Sequence, residues 1–491
     1  VYLNDVELGS HVGGYLPFSF DVTDLLQEEN TLRILAFDPL DHDLPYGKQK
    51  VQRGGMWYTP VSGIWQTVWM ESVPEQYIRG VKLEPSLDSV VITVDCDAPV
   101  TVECDGRRYH PKGNRFRIRP ENPRLWTPEE PNLYDVVIRT ADDEVRTYFA
   151  LRTVSIGKVS GVPRILLNGK SVFFHGMLDQ GYWPDGLFLP GSPEGYSWDV
   201  KTMKKLGFNT IRKHIKIEPE RFYYDCDRYG MLVFQDLVNS GEYHYLRDTA
   251  IPTIGGRHVT YHETPSERRR NFFLSHGEET LKHLHNHPCI VLYTLFNEGW
   301  GQHDTRNLYR HFKALAPDRI WNAASGWFKC ASSDVQSEHI YFGSLKMRPD
   351  GCHPLLLTEF GGVDEDNFHD VDDIQRVPQA ILEDLSAPEI KDVNYKTFTP
   401  TIELASPITK GVAQEDMPSL DGFYGMKPKE GASVILMGEY TPVYTQWKFG
   451  EGTVGTFACD LNGTWSADFI NSEKGAELIN RIILILANSS D

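Results

Sequence analysis

The 491-residue sequence predicts a multidomain protein that joins β-domains to an α/β unit, and three observations predict it. The chain is too long for one compact core, so two to four domains are expected. Up to about Ile156 it runs in short alternating apolar and polar stretches broken by Gly, Pro and Asp clusters, the rhythm of β-sandwiches. From about Gly157 apolar strands alternate with longer segments of helical spacing, which argues for parallel strands and crossover helices.

Taken in order, residues 1–75 form a first β-domain rich in Trp and Tyr, with a turn-rich stretch from Tyr46 to Gly63. Residues 76–156 have the size of one immunoglobulin-like β-sandwich, with runs such as Val90–Val94 and Tyr134–Thr140. Residues 157–362 carry seven strand candidates: Ser171–His175, Asn209–His214, Met231–Asp236, Cys289–Asn297, Ile320–Ala324, Glu338–Phe342 and Pro354–Glu359. Helices are expected around Trp198–Leu206, Pro219–Tyr229 and Arg268–His285, and this order suggests a (β/α)8 barrel that lacks recognisable last elements. Residues 363–491 read as an appended α/β domain: a helix over Asp372–Leu385, strands over Ser433–Gly438 and Val454–Cys459, and an amphipathic helix over Ser472–Ala487.

Charge narrows the partners. With 68 acidic against 49 basic residues the net charge is −19, a field that repels phosphate backbones and anionic lipid, so neither nucleic acid nor a membrane surface is expected. No apolar run approaches the roughly 20 residues of a spanning helix. The 7 cysteines are scattered and form no CxxC pair, so no disulfide framework or zinc site is signalled and a reducing, cytoplasmic location is expected. The chain opens without a charged n-region or an apolar h-region, so no signal peptide is visible, and the start reads as cut, with upstream sequence that could have carried one. Homo-oligomerisation is left open.

Two segments carry chemistry. Cys289 to Trp300 is an apolar strand that delivers Asn297–Glu298 into a Gly turn, and Pro354 to Gly362 delivers Glu359 in the same way. A carboxyl at the C-terminal end of a barrel strand sits at the mouth where such folds work. Acetal cleavage needs one group to protonate the leaving oxygen and another to attack or stabilise the oxocarbenium centre. In the retaining case the two carboxyls stand about 5–5.5 Å apart. The alternative for either glutamate alone is a turn cap or an ion pair with an arginine such as Arg212. Trp327 and Trp183 are candidates for stacking on sugar faces, with buried core aromatics as the alternative. His283, His285 and His287 alternate at a helix end and do not share a face, so no metal is expected there.

Several motifs in succession resemble family 2 glycoside hydrolases, the group of β-galactosidases, β-glucuronidases and β-mannosidases. They are Val1–Asn4, Gly13–Tyr15, Pro17–Thr23, Ser62–Gln66, Leu125–Tyr134, Phe149–Arg152 and the two glutamate strands. The resemblance covers about the first 360 residues. It implies that residues 1–75 are part of a sugar-binding jelly roll whose opening strands precede Val1. It further implies Glu298 as general acid/base, Glu359 as nucleophile and Asn297 as the amide that holds the sugar 2-hydroxyl. Arg212 would stand beside the nucleophile and Tyr341 would hydrogen-bond it. No cofactor is implied. The implied activity is retaining exo-β-glycosidase hydrolysis of a glycoside or oligosaccharide, of galactoside type. The alternative is a non-catalytic carbohydrate-binding or scaffold protein derived from a truncated glycosidase. After Gly362 the family pattern is lost, and the strand Ser433–Gly438 is the candidate to replace the missing barrel strand. The tail is similar to the C-terminal part of bacterial von Willebrand A or amidotransferase-like proteins, although the Asp-x-Ser-x-Ser metal pattern is absent.

Overall fold

The computed structural model describes the chain except residues 52–55, 184–185, 251–263, 342–346, 361–381, 384–392, 395–396, 425–426, 429–430, 439–440, 450–451, 460–464 and 488–491. The chain divides into two compact units, Val1–Ile340 with Ser344–Glu359, and Tyr341–Gly343 with Phe360–Asp491.

The first unit opens with three two-residue strands, Tyr2–Leu3, Val6–Glu7 and Leu32–Arg33, paired antiparallel. Of the partial jelly roll expected here, this ribbon is the sheet among the described residues. Among the described residues no second sheet faces it, and Leu35, Phe37, Trp69 and Met70 are exposed. Residues 46–49 behave differently and bury themselves against the barrel. Tyr46 Oη donates to the Gly241 carbonyl at 2.8 Å, and Gln49 Nε2 donates to the Tyr46 carbonyl at 2.8 Å.

A seven-stranded sandwich follows. One sheet holds Gly80–Pro85, Val90–Asp95 and Arg115–Ile118; the other holds Thr101–Cys104, Arg107–Tyr109, Tyr134–Arg139 and Glu144–Phe149. Period-two alternation turns Val90, Ile92 and Val94 of one sheet, and Tyr134, Val136 and Ile138 of the other, into a common core. Beyond it, Val154–Val159 and Val162–Leu167 make a hairpin, so a boundary at 156 would cut through a strand. Ser160 and Gly161, with φ of 51° and 82°, supply the left-handed pair that a two-residue hairpin turn requires.

The parallel sheet then runs Gly176–Asp179, Thr210–Lys213, Leu232–Asp236, Ile290–Thr294 and Ile320–Asn322, each strand pairing parallel with the next. Helices Glu194–Lys205, Glu220–Tyr229, Glu267–Leu284 and Thr305–Leu315 fill the connections. The Leu232–Asp236 and Ile290–Thr294 strands are buried throughout, which is why each opens on consecutive apolar residues, Leu232–Phe234 and Ile290–Leu292. Gln336–Ile340 and Leu355–Phe360 form a further pair. The first parallel strand is Gly176–Asp179 and not Ser171–His175: Lys170–Ser171 instead pairs antiparallel with Leu166 and Leu167, and Phe173 lies exposed. Among the described residues no eighth parallel strand follows Glu359.

The second unit is built on an antiparallel sheet of Thr401–Ile402, Ser433–Met437, Pro442–Phe449 and Gly452–Phe457, with helices Ala467–Asn471 and Glu473–Ala487. Its own core holds Phe398, Ile408, Leu420, Leu436, Phe469 and Leu478. Ser433–Met437 is therefore an antiparallel member of this sheet and does not replace a barrel strand. The helix expected over 372–385 falls mostly outside the described residues, and Leu382–Glu383 pairs as a strand with Lys427–Pro428. No helix among the described residues is long and apolar enough to cross a membrane.

The foot of the glutamate-bearing strand is held by polar contacts. Arg152 donates from Nε to the Pro288 carbonyl at 2.9 Å and from a terminal nitrogen to the Ile290 carbonyl at 3.1 Å. Fully buried Asp227 accepts from the Cys289 amide at 2.7 Å, Tyr148 Oη at 2.7 Å and His287 Nδ1 at 2.7 Å. Removing that carboxylate strands three donors in a dry interior, a loss of about 3 kcal/mol. Asp227→Ala is expected to lower the urea-unfolding free energy of the full chain by about that amount; an unchanged midpoint would show that the anchor contributes nothing.

Candidate active site

The parallel strands converge on a buried cluster of charge. Arg212, from Thr210–Lys213, lies at its centre. Its guanidinium pairs with Asp236, Nε to Oδ1 at 3.2 Å and Nη2 to Oδ2 at 2.9 Å. It also donates to Asn297 Oδ1 at 2.9 Å, Ser325 Oγ at 3.2 Å and Glu359 Oε2 at 3.1 Å. Four strand ends thus meet on one planar donor. Asp236 also receives His214 Nδ1 at 2.8 Å.

Glu298 is presented by a deliberate distortion. The Ile290–Thr294 strand runs on beside the next segment through a parallel bridge between Asn297 and Ser325, and the Glu298 amide donates to the Ser325 carbonyl at 3.1 Å. Glu298 then adopts φ of 53° and Gly299 φ of 76°. A left-handed non-glycine residue costs about 1–3 kcal/mol and persists only where its surroundings enforce it. Here Phe328 crowds the turn: a Cβ on Gly299 would stand 2.1 Å from its ring, so only glycine fits.

The two glutamates meet through a histidine. His339, from Gln336–Ile340, places Nδ1 2.6 Å from Glu298 Oε1 and 3.0 Å from Glu359 Oε2, and its Nε2 lies 3.3 Å from Arg212 Nη1. One oxygen of each carboxylate and this nitrogen all lie within 4.8 Å of one another. Burial alone would depress the imidazolium, but the Glu359 charge and the hydrogen bonds that His339 donates to both carboxylates outweigh it and raise the His339 pKa. Burial alone would raise Glu359, yet His339 and Arg212 hold its carboxyl well below the ordinary range. The three ligand-type atoms could in principle embrace a metal ion, but the His339 nitrogen is already engaged by both carboxylates and Arg212 brings a fixed positive charge alongside.

Of the residues singled out from the sequence, Glu298, Glu359, Asn297 and Arg212 are thus assembled in one network. Tyr341 directly follows Ile340, is half-buried and groups with the second compact unit. Trp327 is only 2% exposed; it donates Nε1 to the Asp248 carbonyl at 2.7 Å and stands edge-on to His339 at 6.1 Å, so its ring faces protein. Half-buried Trp183 packs edge-on against Tyr196 at 5.8 Å and exchanges backbone bonds with Leu187. The three helix-end histidines take separate partners: His283 pairs with Glu220, His285 with the Leu83 carbonyl and His287 with Asp227. They do not converge on a metal.

His339, Asp236 and Ser325 were not anticipated. Asp236 had a signal, since it ends an apolar strand as Glu298 and Glu359 do. His339 had a weaker one in strand alternation, which puts it two residues before Tyr341.

Comparisons with known proteins agree with this architecture. The family model described as glycosyl hydrolases family 2, TIM barrel domain, matches residues 159–344, and the model described as glycosyl hydrolases family 2 matches residues 76–152. A beta-galactosidase of Thermoanaerobacter pseudethanolicus is 24% identical over 350 residues, covering 64% of this chain and 42% of its own length. A putative beta-glucuronidase of Formosa agariphila is 24% identical over 335 residues, covering 62% of this chain and 37% of its own. The chain therefore spans less than half the length of these curated relatives. Among solved structures, the beta-D-glucuronidase of Dictyoglomus thermophilum superposes with a TM-score of 0.56 at 18% identity over 75% of this chain and 71% of that one. The apo structure of Bacteroides uniformis beta-glucuronidase 3 gives 0.58 at 17% identity, over 74% of this chain and 49% of that one, which is a likeness of fold. Across residues 76–344 the chain belongs to glycosyl hydrolases family 2.

Proposed function

We propose that the chain is a retaining exo-β-glycosidase with Glu359 as nucleophile and Glu298 as general acid/base. The observation that carries this reading is the separation of the two carboxylates, whose nearest oxygens lie within 4.8 Å. Retaining enzymes hold their pair about 5–5.5 Å apart, whereas inverting enzymes keep about 6.5–9.5 Å free for a water. A glutamate held ionised by Arg212 and His339 is suited to attack; one at the tip of a turn is suited to exchange protons with a leaving group and with solvent.

In the first step a Glu359 oxygen bonds to the anomeric carbon as the glycosidic carbon–oxygen bond breaks, and the leaving oxygen takes the Glu298 proton. In the second, water gives a proton to Glu298 and its oxygen to the anomeric carbon, and Glu359 departs as carboxylate, with configuration retained. Asn297 has its side-chain oxygen occupied by Arg212 and Ser325, which leaves its amide N–H groups to donate to the sugar 2-hydroxyl. That bond contributes to rate to the degree that it tightens in the transition state. A galactoside-type ring is the first arm of the substrate panel, and the printed names of the relatives, beta-galactosidase and putative beta-glucuronidase, give the others.

Two outcomes are expected. Glu359→Gly should reduce turnover of an aryl β-glycoside by more than about 10³-fold and be partly rescued by azide, which occupies the vacated volume and attacks in place of the carboxylate. A variant of full activity would overturn the nucleophile assignment. The His339 pKa is raised on folding, so its imidazolium is present below the ordinary histidine value and is lost as pH rises through the raised one. The kcat/KM of the native chain should therefore fall on an alkaline limb set by His339. In His339→Gln that limb should vanish and kcat/KM should drop about ten- to hundredfold, the loss expected for charge-assisted hydrogen bonds. An unaltered pH profile would remove His339 from the mechanism.

A further inference from the structure

Outside the network around Arg212, two histidines turn a ring nitrogen toward the same small space, and neither nitrogen is satisfied. His276, on helix Glu267–Leu284, is only 8% exposed, and His11 is half-buried in the N-terminal segment. The Nε2 atoms of both are buried and have no hydrogen-bond partner among the described residues. A Cβ built on Gly13 would stand 4.0 Å from His11 Nε2 and 4.0 Å from His276 Cδ2, the carbon bonded to Nε2 of that ring, so the two nitrogens border one spot. Gly13, at φ of 112°, has no side chain to fill it. Buried polar atoms are nearly always paired, and a bound ion is one way in which two such nitrogens are satisfied together.

Neighbouring contacts hold both rings in place. The loop after His11 is tied down by Trp65 Nε1, which donates to the Gly14 carbonyl at 2.6 Å, and by Tyr15 Oη, which donates to the Tyr46 carbonyl at 3.1 Å. Phe18 stacks on His11 with ring centroids 4.5 Å apart, and Tyr15 stands edge-on to His276 at 6.2 Å. Glu279 follows His276 by three residues, which puts both on one face of the helix. Its carboxylate is exposed and has no ion-pair partner among the described residues, whereas the adjacent Glu278 is engaged by His311 at 2.6 Å. The Glu279 charge is felt at His11 across the gap between helix and loop.

The donor chemistry selects the ion. Burial lowers the pKa of both imidazoles, that of His276 to about 4, so each ring is neutral at pH 7 and keeps one nitrogen lone pair for a ligand bond. Two imidazoles and a carboxylate make the donor set of a zinc-class dication, with water as the fourth ligand; calcium and magnesium want oxygen donors throughout. Such an ion would join a loop near the start of the chain to a barrel helix far along it, and an ion held only by the folded chain stabilises that fold.

We propose that His11 and His276, with Glu279 as third donor, bind a zinc-class divalent cation that ties the N-terminal segment to helix Glu267–Leu284. Cobalt(II) is the probe, because its visible absorption reports tetrahedral coordination by nitrogen and oxygen, to which zinc(II) is silent. The full-length chain, stripped with EDTA and dialysed, is titrated with cobalt(II) and then back-titrated with zinc(II). One cobalt per chain should bind with a visible band that zinc removes, and zinc should raise the midpoint of urea unfolding. Loss of an outer partner of a metal ligand costs about ten- to hundredfold in affinity, so His11→Gln, which removes a ligand itself, should cost at least about a hundredfold and abolish the zinc-dependent rise. His276→Gln should do the same; because His276 is buried, its fold is checked by circular dichroism, and the His11 variant carries the test should it not fold. His339→Gln removes the nitrogen of the other group of ligand-type atoms, beside the two glutamates, and should leave the band unchanged. Absence of the band in the native chain, its persistence in His11→Gln, or its loss in His339→Gln would overturn the proposal.

Discussion

The guanidinium of Arg212 is the constraint from which the geometry of the site follows. A planar group with five donors can be satisfied in a dry interior only by acceptors placed around its rim, and four separate strand ends supply them. Asp236 takes the bidentate edge; Asn297, Ser325 and Glu359 take the rest. Each of these residues is thereby fixed relative to the others. The desolvation cost of burying the cation is offset because its partners include two carboxylates, one of which is the candidate nucleophile.

The remaining members of the cluster extend this logic. His339 touches both glutamates through one nitrogen, so the distance between the carboxylates is set by an intervening proton donor as well as by the backbone. The left-handed turn at Glu298 and Gly299 is the local distortion that lets the strand keep its pairing as far as Asn297 and still swing the next side chain into the cluster. At the opposite end of the same strand, Asp227 and Arg152 hold its first residues with buried hydrogen bonds. A strand clamped at its foot and bent at its tip positions a carboxylate more accurately than a loop would.

Much of this was legible in the sequence, and what was not has physical causes. Glu298 and Glu359 stood out because each terminates an apolar run before a Gly turn, a pattern tied to the mouth of a parallel barrel. Arg212 and Asn297 followed from the motifs around them. His339 left no such mark, since a histidine inside a short strand is commonplace until folding shows that it is shared by two acids. The two tryptophans illustrate the converse: an aromatic beside a Gly turn reads equally well as a sugar platform or as core, and only burial tells Trp327 apart. Of the partial jelly roll expected for the first 75 residues, the described residues form one three-stranded ribbon, since the motifs mark strand ends and turns and do not encode the second face of a sandwich. For the C-terminal strands, pairing direction was the missing information, and periodicity does not encode it.

Tyr46 and Gln49 have a consequence that reaches past packing. They fasten a short stretch of an otherwise sparsely structured N-terminal region to the rim of the barrel, so that pieces of chain separated by more than a hundred residues are held together beside the acid pair. Selection could then rework the fastened stretch while the acid pair stayed untouched, because the two are joined by a few hydrogen bonds and share no element of the parallel sheet.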